Sequence, residues 1–140
     1  MENDYYKLLT INYFIMETEA TKYFLNAAQK LNQANKELFK PEEDIVTYLV
    51  CKNSQYAIEN YLKGYLLKNG FEPSQYKTID SLYEQCKRIN KGFEKVDLAD
   101  FNCKSSPNLE TKFCNNVSKV NKCFDAADSL DTFLKREKII

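Results

Sequence analysis

An all-α fold, an up-and-down bundle of four to five helices, follows from three observations on this sequence. Apolar residues recur at alternating steps of three and four along most of the chain, the mark of one face of a helix. Only three glycines and three prolines interrupt the 140 residues, too few breaks for a many-turned β fold. No segment alternates apolar and polar residues with period two, so no strand competes with the helices. The length suits one hydrophobic core, and a single domain over residues 1–140 is expected. A composition 44% hydrophobic and 29% charged is that of a folded chain, not a disordered one.

Each element has its own signal. Met16, Ala20, Tyr23, Ala27, Leu31, Ala34 and Leu38 form one stripe and predict a long first helix. The stretch before it, Tyr5 to Ile15, is apolar on nearly every side. It either continues that helix or forms a short separate one buried against partners, and the sequence leaves both open. Pro41 followed by Glu42, Glu43 and Asp44 predicts the start of a second helix, with proline in the first turn and carboxylates at the positive end of the dipole. This helix is expected to carry Ile45, Leu49, Tyr56, Leu62 and Leu66 inward and to stop at Asn69-Gly70, where glycine takes the left-handed conformation. Thr78 can cap a third helix bearing Ile79, Leu82, Cys86 and Ile89, which ends near Gly92. Asp97 to Cys103 has room for a further helical turn or two. Ser106 before Pro107 predicts the cap and first turn of the last long helix, whose stripe is Val117, Val120, Phe124, Ala127, Leu130 and Leu134.

Composition also excludes function classes. Twenty basic and twenty acidic side chains cancel, so no global positive field advertises a nucleic-acid partner, although a local patch is left open. No apolar run approaches the roughly 20 residues of a membrane span, and the first residues are acidic where a secretory signal is basic, so a cytoplasmic location and no membrane partner are expected. The cysteines Cys51, Cys86, Cys103, Cys114 and Cys123 are odd in number and form no Cys-x-x-Cys pair. Buried reduced thiols are therefore expected, with no disulfide framework, no metal site and no cofactor. Ten tyrosines and nine phenylalanines suggest base stacking, but Tyr23, Tyr56 and Phe124 stand at core spacing, which favours packing. The run Lys135-Arg136-Glu137-Lys138 puts positive charge at the negative end of the last helix, a stabilising role before a nucleic-acid one.

The stretch from Ser54 to Leu66, SQYAIENYLKGYL, then Asn69-Gly70, then Lys77-Thr78-Ile79-Asp80-Ser81-Leu82, resembles the signature region of HEPN domains. Those domains show a Gln-Ala-x-Glu-Lys-x-Leu-Lys-Ala helix, a glycine stop and a Lys-Thr-His-Asp start to the next helix. The likeness is close over the middle third, in the register of Gln55, Ala57, Glu59, Leu62 and Lys63, and the order of helices agrees along most of the chain. It implies an HEPN-like helical bundle that pairs as a homodimer.

Ribonucleases of that family use an Arg-x(4-6)-His motif near the start of the last long helix, where this chain reads Leu109-Glu110-Thr111-Lys112-Phe113-Cys114-Asn115-Asn116 and holds no histidine at all. Such chemistry needs a group that moves protons near neutral pH and a cation for the charged transition state. Ile79 likewise replaces the histidine of the Lys-Thr-His-Asp start. The resemblance therefore implies a non-catalytic binding or dimerisation module, not an enzyme. It would act beside a partner such as a nucleotidyltransferase-type protein, or in a toxin–antitoxin or defence system. The alternative is a diverged endoribonuclease toxin that cleaves RNA with other residues.

Two groups of residues are candidates for binding. Gln55, Glu59 and Lys63 lie on one helical face and could line a groove or a dimer contact, against the plainer reading of a solvated pair in the favourable acid-first order. Lys112, Asn115 and Asn116 could hold a phosphate, with Glu110 as a base, against the plainer reading of capping and solvation at a helix start. RNA or a nucleotide as ligand has no support in composition.

Overall fold

The computed structural model describes residues 2–98 and 116–140. Among them are four α-helices, α1 (Glu2–Leu38), α2 (Thr47–Lys68), α3 (Ile79–Ile89) and α4 (Val117–Arg136), with 3-10 turns at Glu42–Asp44, Pro73–Gln75 and Lys91–Lys95. No strand occurs among the described residues, and the helices pack as a bundle, as expected. The central element is α2, which packs against α1 most extensively, then against α4 and α3.

The first helix is continuous, which settles the alternative left open for Tyr5 to Ile15. Its predicted stripe faces inward: Ala20, Ala27 and Ala34 are fully buried at heptad spacing, and Met16, Tyr23, Leu31 and Leu38 are half-buried. Such small residues let two helices approach closely. Gly64 on α2 completes the close approach, since a Cβ there would stand 2.6 Å from Cε1 of Phe24. With 37 residues α1 is about 55 Å long, whereas the 22 residues of α2 span about 33 Å. The excess leaves Leu8, Leu9, Ile11, Phe14 and Ile15 exposed.

The predicted start of the second helix at Pro41 is corrected. Glu42–Asp44 makes one 3-10 turn, Ile45 is extended, and α2 begins only at Thr47. Its N-cap, Val46, has no side chain able to cap. Glu37, in the last turn of α1, replaces the missing cap, its Oε2 accepting from the Val46 backbone N–H at 3.0 Å. That hydrogen bond first, and Lys40 after it, hold the buried Glu37 carboxyl below the usual carboxylate range.

The helix ends follow the local chemistry more closely. Gly70 has φ +86°, the Phe71 N–H reaches back to the Leu66 carbonyl and the Gly70 N–H to that of Leu67, a Schellman stop for α2. Thr78 caps α3 as expected, in a reciprocal capping box with Ser81. The last helix differs: α4 opens at Val117, and Asn116, with extended φ and ψ, is its N-cap, so α4 does not continue upstream of that residue. Ser106 and Pro107 lie outside the described residues. Of the segment from Asp97 to Cys103, Asp97 and Leu98 are not helical, and the rest is also outside.

Two residues assigned to the core are corrected too. Leu49 and Tyr56 are 37% and 41% exposed, while Val50, Cys51, Ala57, Ile58, Tyr61, Leu62 and Leu66 are fully buried. The cause is phase. Six residues turn a helix by about 600°, which leaves Tyr56 some 120° away from the face of Leu62. Cys51 is disulfide-bonded, a departure from the expectation of reduced thiols throughout, and Cys86 and Cys123 are free and buried. Burial pushes the Cys86 thiol up, so it is a protonated core residue and not a nucleophile.

Candidate functional site

On α2 the helical period brings Gln55, Glu59 and Lys63 onto one partly exposed face, as their spacing predicts. Glu59 Oε1 lies 2.8 Å from Lys63 Nζ, so the two charges satisfy each other. Gln55 Oε1 is buried without a hydrogen-bond partner, and the same holds for Ser54 Oγ beside it. In the second candidate group, Asn116 is engaged as a cap: its Oδ1 accepts from the N–H groups of Ser118 and Lys119, at 2.8 and 3.3 Å. Lys112, Asn115 and Glu110 lie outside the described residues.

A different constellation sits where α1 ends and α2 begins. Lys30, Gln33, Lys36, Glu37 and Lys40 from α1 and the segment after it, with Leu49, Lys52 and Asn53 from α2, line an open cleft of about 480 Å³. Its one carboxylate, Glu37, is already bound to Lys40 Nζ at 3.0 Å and to the Val46 N–H. The exposed Tyr56 ring stands between the helices, with Lys30 Nζ and Lys52 Nζ each 5.9 Å from its centroid. Lys52 also lies 5.7 Å from the Tyr48 ring. Such distances suit cation–π contacts, which hold rings and ammonium groups in register. No sequence pattern could have found this group, because the lysines come from two helices and Tyr56 stood at apparent core spacing.

A buried polar contact joins α2 to α4. Tyr61 O–H donates to Asp131 Oδ1 at 2.5 Å, and Asp131 Oδ2 pairs with Lys135 Nζ at 2.9 Å. The group opens on a second cleft, lined in part by Phe24, Leu25, Ile139 and Ile140. Burial first, then the Asp131 hydrogen bond and charge, push the Tyr61 phenol far above its ordinary value of 10.0. A raised value means that the stability contributed by Tyr61 is complete below pH 10.0 and is lost as the pH rises from there toward the folded-state value. Urea denaturation across the alkaline range should therefore show the unfolding free energy of the wild type falling more steeply than that of Tyr61→Phe. Parallel curves would disprove the coupling.

Among the described residues no group of three His, Cys, Asp or Glu is placed to hold a metal ion. No helix among them is long and apolar enough to cross a membrane. A family model described as HEPN domain matches residues 20–113, which run from the buried alanines of α1 through α2 and α3. Comparison with curated proteins gives no match, and comparison with solved structures gives none either.

Proposed function

Because the chain belongs to the HEPN domain family, we propose that it is a non-catalytic binding and dimerisation module that works with a partner in a toxin–antitoxin, defence or nucleotidyltransferase-associated system. One observation carries this reading: the 140 residues include no histidine. Without it the chain lacks the side chain that most readily shuttles a proton at neutral pH. Its two arginines, Arg88 and Arg136, stand in the last turns of α3 and α4, at the wrong ends of those helices for the family's motif.

Self-pairing is supported by the overhanging half of α1. Leu8, Leu9, Ile11, Phe14 and Ile15 are each about half exposed or more, and apolar clusters of that kind mark contact surfaces. Closed two-fold pairing covers such a surface without building open chains. A cytoplasmic setting belongs to the same proposal, and the Cys51 disulfide pulls against it, since reducing compartments keep thiols reduced.

The test has two arms. With chelator present, the purified protein should leave structured and unstructured RNA intact, and cleavage that disappears in Lys112→Ala or Glu110→Ala would instead establish the diverged-nuclease alternative. Light scattering across the micromolar range should give twice the chain mass. A constant value near 16.4 kDa would rule the dimer out.

A further inference from the structure

We propose that the cleft formed by the middle of α1, the end of α4 and the segment after α4 binds a small organic cation, an ammonium group on an apolar body, at the Asp131 carboxylate. This site goes beyond the binding and dimerisation reading and stands whether or not the chain pairs.

The first argument is that the cleft is built. Ala20, Phe24, Leu25 and Ala28 of α1 give it an apolar wall, to which Ile139 and Ile140 add. The segment that carries these isoleucines is pinned in place. Lys138 takes φ +58°, the Ile139 N–H reaches back to the Leu134 carbonyl at 2.8 Å, and the Ile139 carbonyl accepts from Lys68 Nζ at 3.0 Å. Left-handed backbone is uncommon for a residue with a Cβ, and the two hydrogen bonds hold it there. The cleft has a volume of about 480 Å³, within the range of small-ligand sites, and its walls take hydrocarbon out of water.

The second argument is the charge inside the cleft, which selects the ligand. Asp131 lines the cleft although it is only 7% exposed. One of its oxygens accepts from the Tyr61 O–H and the other pairs with Lys135 Nζ. These contacts fix the carboxylate in position and use about half of its acceptor sites. Glu17 adds a second carboxylate, which has no ion pair among the described residues. Both cations of the lining are engaged, Lys135 with Asp131 and Lys68 with the Ile139 carbonyl. An anion would meet the buried Asp131 charge at close range, and a neutral hydrocarbon would cover that carboxylate without offering it a donor. An ammonium group on an apolar body satisfies the carboxylates and the walls together.

Isothermal titration calorimetry of the full chain with phenethylamine at neutral pH tests the proposal, with phenethyl alcohol and hydrocinnamate as neutral and anionic analogues of similar shape. Phenethylamine should bind, and each analogue should bind about tenfold more weakly or worse, the loss that goes with a charge-assisted hydrogen bond. Lys135→Gln removes the ammonium that competes for Asp131 and should tighten phenethylamine binding about threefold. The same change would weaken a site for anions. Ala28→Phe fills the cleft from an exposed position and should abolish binding. Glu17→Gln should weaken binding about threefold, whereas Glu43→Gln removes a carboxylate that does not line the cleft and should leave it unchanged. Asp131→Asn should cost about tenfold. Because that change also touches the Tyr61 hydrogen bond, Ala28→Phe and Lys135→Gln, which leave the bond alone, decide the matter if Asp131→Asn does not fold. The proposal is overturned by absence of phenethylamine binding at millimolar concentration, by equal affinity for the three compounds, or by full binding in Ala28→Phe. Preference for hydrocinnamate, weakened by Lys135→Gln, would also overturn it and would reassign the cleft to carboxylate ligands.

Discussion

Phe93→Ala should lower the unfolding free energy by about 3–5 kcal/mol, the range for removing a fully buried aromatic ring. Phe93 sits on the 3-10 turn Lys91–Lys95 and has no exposed surface. Its ring lies 4.7 Å from that of Tyr65 on α2 and 4.8 Å from that of Phe133 on α4, tilted by 58° and 60°. Tilted pairs at that separation add to the burial energy of each ring. The turn cannot readily move to refill the space. Asn90 Oδ1 accepts from the Gly92 N–H at 2.9 Å, and Tyr83 O–H donates to the Phe93 carbonyl at 2.8 Å, which ties the turn to α3. Chemical denaturation checks the value, with Phe93→Leu expected in between. A loss under about 1 kcal/mol would show that the neighbouring rings collapse into the space, contrary to this packing.

Phe93 was also invisible in the sequence, and the reason is physical. A five-residue 3-10 turn is too short to establish a period, so an isolated aromatic near Gly92 carries no sign of facing a core. Long periodic segments were legible: the Ala20, Ala27 and Ala34 stripe, the Thr78 cap and the Gly70 stop are all local properties of the chain. The start of α2 was not, because its effective cap comes from Glu37, nine residues before Val46 and on another helix. At the start of α4 the cap is Asn116, a residue type that caps helices as readily as serine, so the Ser106-Pro107 pattern alone does not locate the start. The same division holds for the sites. The Glu59–Lys63 pair follows from i,i+4 spacing, whereas Lys30 and Lys52, or Tyr61 and Asp131, meet only through the packing of separate helices.

Leu62→Ala should cost about 2–5 kcal/mol, and Tyr56→Ala, six residues earlier on the same helix, no more than about 1 kcal/mol. Leu62 is fully buried in the core cluster shared by α2, α3 and α4. The Cys86 thiol approaches the Leu62 carbonyl at 3.7 Å, so α3 is already in close contact there and has little freedom to move further inward. A Leu→Ala change therefore leaves a cavity, and its residual volume sets where in the range the cost falls. Tyr56 already has a large part of its surface in water, and its removal exposes little that was hidden. Both variants belong in one urea series. Equal m-values would confirm that neither changes the surface exposed on unfolding, leaving the midpoints to report stability alone. A large cost at Tyr56 with a loss below about 0.5 kcal/mol at Leu62 would mean that α2 presents the opposite face to the core, and the lysine cleft would have to be redrawn with it.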